Sequence, residues 1–278
     1  MSRKASQTAL LVAGYRARAT RAGLCDDPWA EALAGGEGRA LTERYDLANA
    51  HMELWIALRT RFFDDNVRAF VRRGTSQIVV LGAGLDSRAA RLAAPGVTFF
   101  EVDQPASTEE RRRRIDGLAG YPRDAAVSVP CDFEHEDFLT RLRASGFRPD
   151  RPALFLWEGV VYYLPEAAVR ATARRVAEGC HPASALLFDL ISKRMVDGTG
   201  LPERDRAARD IVAELGEPIR FGTSDPLPLL AEEGFRHVRS VTFDALGLSY
   251  AGTYVRERAF RFQSVVLASR ELGAPPWG

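Results

Sequence analysis

The sequence predicts an α/β protein built on a doubly wound, mostly parallel sheet, and three observations carry that prediction. Short β-prone apolar runs alternate with helical segments from Gln77 onward, the pattern of a sheet with crossover helices. The first run, 78–81, stops at Gly82 and Gly84, as a parallel strand buried on both faces stops when it meets its turn. The second run ends in Asp103, 21 positions beyond Gly82, the spacing at which nucleotide sites place an acid on a ribose.

The elements follow in order along one domain, 1–278. Residues 1–75 read as a helical cap: Asp27-Pro28 suits a helix start, Gly35-Gly36 a break, and 41–71 carries apolar residues at helical spacing. Residues 76–191 form the core, with strand runs at 78–81, 97–102, 126–129, 153–157 and 185–190 and helical segments at 88–93 and 165–178. Residues 192–225 read as a helical lid insertion, charged, broken by Gly198, Gly200 and Pro202, with a helix at 203–215. In the closing segment, 226–278, runs at 236–243 and 260–269 lack a crossover helix between them. They are therefore expected as an antiparallel hairpin on the sheet edge.

Composition narrows the partners. A net charge of +1 with 27% charged residues removes the electrostatic case for nucleic acid or an anionic membrane and leaves a small-molecule partner. Cys25, Cys131 and Cys180 are odd in number, far apart and in no C-x-x-C pattern, against a disulfide framework or structural zinc. The four histidines are scattered, and no metal is expected; His135 reads as part of a polar surface turn. The apolar stretch 9–13 is too short for a signal peptide or membrane span, so a cytoplasmic location is expected. Of 38 basic residues only Lys4 and Lys193 are lysines, a compositional bias towards arginine.

The strand ends suggest the cofactor. The loop reads Gly-x-Gly-x-x-x-Arg, with Ser87 where a third glycine would close a pyrophosphate turn, which weakens a dinucleotide site. The third strand run leads into Cys131-Asp132-Phe133, a carboxylate beside an aromatic ring that suits the exocyclic amine and face of a purine. The fourth ends in Glu158-Gly159 at the carboxyl edge, where open α/β sheets bind ligands. Together they describe a pocket for adenosine carrying a compact charged tail. Taken singly, Gly-x-Gly is as readily a tight turn, and Asp132 or Glu158 a loop acid or helix N-cap.

The segments Leu81-Gly-Ala-Gly-Leu-Asp-Ser-Arg88, Phe100-Glu-Val-Asp-Gln-Pro105 and Trp157-Glu-Gly-Val-Val-Tyr-Tyr-Leu-Pro165 resemble the leucine carboxyl methyltransferase family, including its bacterial polyketide O-methyltransferase branch. The resemblance spans roughly residues 25 to 190. It implies a class I fold of seven strands with the last antiparallel, S-adenosyl-L-methionine as methyl donor, S-adenosyl-L-homocysteine as product, and no metal. It implies that Arg59 holds the methionine carboxylate, that Gly82 and Gly84 form the cofactor loop, that Asp103 takes the ribose, and that Gln104 beside it binds the cofactor too. Asp132 and Phe133 match the adenine contacts, Glu158 the acid near the methionine amino group, and Tyr163 a tyrosine on the acceptor side. One departure is visible: after the Asp-Gln-Pro turn the family often carries a lysine, whereas this chain runs Glu109-Glu-Arg-Arg-Arg-Arg114, read as a solvated helix face.

An O-methyltransferase acting on a carboxylate, or on a hydroxyl, of a small polyketide-like acceptor is therefore expected. The alternatives are a nicotinamide-dependent reductase and a non-catalytic protein that binds S-adenosylmethionine. Trp55, Phe62, Phe63, Trp157 and Tyr162 are candidates for an aromatic acceptor pocket or for core. Acceptor identity, the need for a general base and oligomeric state stay open.

Overall fold

The computed structural model describes residues 6–48, 52–132, 135–198, 200–252 and 262–271. Seven strands, β1 (Gln77–Leu81), β2 (Thr98–Asp103), β3 (Ala126–Pro130), β4 (Ala153–Trp157), β5 (Ala185–Ile191), β6 (His237–Thr242) and β7 (Gln263–Ser269), form one sheet in the order β3-β2-β1-β4-β5-β7-β6. The first five run parallel, and β7 is antiparallel to both β5 and β6. The order reverses between β1 and β4, the switch point at which such sheets open a crevice above their carboxyl edges.

Every residue of β1, β4 and β5 is buried, because these strands feed two cores at once. Val79, Leu81, Phe155 and Trp157 pack on one face against α6 (Phe138–Ala144) and α7 (Glu166–Gly179). Ile78, Val80, Leu154 and Leu156 pack on the other against α3 (Met52–Arg72). The period of two sends alternate side chains to opposite faces, so a run apolar at every position is what this sheet demands.

Ahead of α3 lie α1 (Gln7–Arg21) and α2 (Ala30–Asp46), the latter kinked at Gly35, where φ is +60°. Between β1 and β3 run the single turn α4 (Arg88–Arg91) and α5 (Pro105–Asp116). After β5 come α8 (Lys193–Asp197) and α9 (Glu203–Glu214), which fall within the 192–225 segment, and α10 (Leu227–Glu232), which leads to the edge strands.

Two expectations need correction. The closing pair is not a simple hairpin: α11 (Phe243–Ala251) stands between β6 and β7, capped by the Thr242 hydroxyl accepting from the Ala245 N–H. Its Phe243 meets Trp55 of α3 edge-on at 6.2 Å, so the helix seals the edge core and makes no parallel crossover. The stretch 109–114 is not uniformly solvated either: Arg111 is buried, the single buried residue of α5.

Candidate functional site

Register brings the predicted strand ends together. The pairing Leu81↔Val102 sets Gly82 beside Asp103, and Trp157↔Phe188 sets Glu158 beside Asp189. Gly82 and Gly84 take φ of +71° and +49°, a region in which other L-residues are strained. A Cβ on Gly82 would stand 2.5 Å from a Val160 methyl group. The loop therefore exposes backbone where side chains have no room.

Asp103 accepts the Gly84 N–H at 2.5 Å and the Gln104 N–H at 2.7 Å. Burial nevertheless pushes its pKa up to about 6, against the pull of those two N–H groups and of Arg111, with nearby Glu217 adding to the rise. The β3 end follows alongside, since the Cys131 N–H donates to the Asp103 carbonyl at 2.7 Å. The Asp132 carbonyl caps a turn by accepting from the His135 and Glu136 N–H groups, and His135 sits exposed there, as expected. Phe133 lies outside the described residues.

At the other end of the crevice, Arg59 of α3 is fully buried between two acids. Its Nε is 3.0 Å from Glu158 Oε1 and its Nη1 2.6 Å from Asp189 Oδ2. Asp189 also accepts the Gly159 N–H at 2.6 Å, which fixes the turn after β4. The Tyr162 hydroxyl stands 3.4 Å from both Arg59 Nη1 and Asp189 Oδ2. Burial raises the Asp189 pKa, although Arg59 and the Gly159 N–H draw it back.

The ion pairs continue away from the crevice. Glu158 Oε2 is 2.6 Å from Arg88 Nη2, Arg88 also pairs with Asp86 and with Asp64 at 2.7 Å, and Asp64 is 2.6 Å from Arg91. Arg91 and Arg16 then share Asp27. Among the described residues this chain of buried contacts holds four guanidinium groups, Arg16, Arg59, Arg88 and Arg91, and five carboxylates, Asp27, Asp64, Asp86, Glu158 and Asp189. Buried carboxylates of this kind persist only when paired.

Tyr163 is half-buried, with its ring edge-on to Tyr162 at 4.6 Å. Burial lifts its pKa well above the ordinary phenol value, with Tyr162 and Glu217 adding to the rise. The segment after α9 packs on this side: the Arg220 N–H donates to the Tyr162 carbonyl at 2.7 Å, and the Thr8 hydroxyl of α1 donates to the Glu217 carboxylate. Trp55, Phe63 and Trp157 are buried core residues.

Sequence reasoning missed Asp64, Asp86, Arg88, Arg111 and Asp189. For Asp189 a signal existed, because an acid inside the apolar run 185–190 must find a buried partner. Among the described residues, no group of three or more His, Cys, Asp or Glu is arranged to hold a metal, and no helix is long and apolar enough to cross a membrane.

Comparison with known proteins bears on this geometry. The profile described as leucine carboxyl methyltransferase matches residues 9–177. A Mycobacterium avium (strain 104) protein named for S-adenosyl-L-methionine-dependent methyl transfer is 32% identical, with 96% of this chain and 94% of that one covered. A protein of the same name in Mycolicibacterium gilvum (strain PYR-GCK) is 33% identical over 90% of this chain and 85% of its own. Among solved structures, a DUF574 family protein from Streptomyces avermitilis MA-4680 superposes with a TM-score of 0.64 at 14% identity, covering 85% of this chain and 91% of that one. At that identity the likeness speaks for the fold alone.

Proposed function

This chain belongs to the leucine carboxyl methyltransferase family of S-adenosylmethionine-dependent methyltransferases, and on that premise we propose that it methylates an oxygen of a small, polyketide-like acceptor, a carboxylate in the first place. The observation that carries the reading is the position of Arg59 and Glu158 at one end of the crevice, with Asp103 and the Gly82–Gly84 loop at the other. Those two groups of residues offer the donors and acceptors that an adenosine joined to an amino acid calls for.

The residues fit such a cofactor. The Arg59 fork suits a carboxylate, and Glu158, now paired with Arg59 and Arg88, is placed to turn one oxygen towards an ammonium group. Asp103 and Gln104 serve the ribose, and Asp132 with Phe133 the adenine. When bound, S-adenosylmethionine supplies an electrophilic methyl carbon.

The acceptor side argues for the carboxylate. Tyr163 keeps its proton, because burial raises its pKa, so it acts as a hydrogen-bond donor that orients the acceptor oxygen and not as a base. An acceptor carboxylate is ionised at neutral pH and needs no base, whereas a phenol, with pKa near 10, would. What remains is alignment and exclusion of water, which the lid over Tyr162 and Tyr163 provides.

Calorimetry with S-adenosylhomocysteine tests the cofactor half: wild type should bind one equivalent and Asp103→Ala should bind at least about tenfold more weakly, a loss of about 1.4 kcal/mol. No binding by wild type overturns it. Label transferred from methyl-labelled donor into acceptors from a cell extract tests the other half. A methyl ester releases its label in mild alkali; an alkali-stable label would exclude the carboxylate as acceptor.

A further inference from the structure

We infer that Arg111 is a positioning residue that clamps the Gly82–Asp86 loop to β2 and α5 and so sets the distance between the loop and Asp103. The inference rests on the cofactor reading above. Along α5, Arg112 and Arg113 are exposed and pair with Glu109 and Glu110 on the same helix. Arg111 turns inward instead.

Its fork then reaches three parts of the chain. Nη2 donates to Glu101 Oε1 of β2 at 2.5 Å and to the Tyr121 hydroxyl at 3.2 Å. Nη1 donates to the Asp86 carbonyl and, at 3.4 Å, to the Gly84 carbonyl. Gly84 is thereby held twice, its N–H by Asp103 and its carbonyl by Arg111. The helix that carries Arg111 starts at Pro105, directly after the Asp103-Gln104 turn, so one guanidinium ties the loop to the element that leaves the ribose acid. Glycines at positive φ make this loop adaptable, and a loop that must present N–H groups to a ligand gains affinity from being held in place beforehand.

A lysine could pair with Glu101 but, as a point charge, could not also span two carbonyls and a hydroxyl. The planar fork is the property that the site uses. The residue therefore acts through the loop and touches no reacting atom.

The test compares Arg111→Lys, Arg111→Met and the exposed control Arg113→Met with wild type, reading the Kd for S-adenosylhomocysteine and backbone hydrogen exchange. Arg111→Met is expected to raise Kd at least about tenfold and Arg111→Lys about threefold, with Arg113→Met unchanged. Exchange in a peptide over residues 80–90 should quicken in both Arg111 variants while one over α7 keeps its protection. Should Arg111→Met fail to fold, Arg111→Lys carries the same two readouts. The clamp is overturned if loop exchange in a folded Arg111 variant matches wild type, or if Kd stays within twofold. Wild type that binds no S-adenosylhomocysteine would sink the cofactor reading, while the exchange data would still decide whether Arg111 holds the loop.

Discussion

Replacing Arg88 by methionine removes the cation shared by Asp64, Asp86 and Glu158 while keeping a long, unbranched side chain in the same buried space. Taking one partner from a buried ion pair costs about 3–5 kcal/mol, because the remaining charge has neither water nor a counter-ion. For a chain of 278 residues, an unfolding entropy of about 2.1 cal/mol/K per residue converts this to a fall in Tm of about 5–9 °C. The deficit should also depend on pH. In the intact protein burial pushes the Asp86 pKa up, but Arg88, with Arg16 and others, draws it down to about 2 from 3.8. A depressed carboxylate pKa contributes stability that is present above about 4 and lost as pH falls towards 2. Without Arg88, burial prevails, Asp86 rises above 3.8, and the variant gains stability by taking up protons as pH falls from 7 towards 5. Thermal unfolding followed by circular dichroism at pH 7.5 and 5 should therefore show a gap that narrows at the lower pH. A fall of less than 2 °C, or a gap of equal size at both values, would refute the reasoning.

Cofactor affinity should depend on the charge of Asp103, whose pKa burial lifts to about 6. Ribose hydroxyls donate to the carboxylate form, which is full above that value, so calorimetry should find S-adenosylhomocysteine bound about tenfold more weakly at pH 5 than at pH 7.5; Asp103→Asn should bind weakly with a flat profile, and a sloping profile in that variant would place the titration elsewhere. Gly82→Ala combines a φ of +71° with a Cβ 2.5 Å from Val160, and should lose at least about tenfold in affinity, of which the backbone accounts for about 1–2 kcal/mol. Adding Val160→Ala removes the clash and not the strain, so titration of the double variant should show partial recovery; full recovery would exclude the backbone contribution.

The strand ends were legible because a strand buried on both faces is an uninterrupted apolar run, and the residue that ends it sits on the carboxyl edge of the sheet. Gly82, Asp103 and Glu158 could be located that way. The ion pairing around Glu158 could not be, since Arg59, Arg88 and Asp189 are far from it in the chain and are brought near it by the fold alone. The helix α11 escaped notice for a different reason. Nine residues are too few for a crossover, and only the Thr242 cap marked its start.

Arg111 shows how a local signal can be hidden by composition. Five of its neighbours from Glu109 to Arg114 are charged, and a run of that kind usually faces water. Yet Arg111 stands four residues before Ile115, which packs against the cluster around Leu33 and Leu85, and positions i and i+4 share a helix face. The same reading explains the scarcity of lysine at the site. At Arg16, Arg59, Arg88, Arg91 and Arg111 each guanidinium meets at least two separate groups in a dry setting, a task for a planar fork of five donors and not for a compact ammonium. On the exposed face of α5, where Arg112 and Arg113 pair with Glu109 and Glu110, lysine would serve as well. The bias towards arginine is therefore compositional on the surface and chemical inside, and substitution by lysine should be tolerated at the first kind of position and costly at the second.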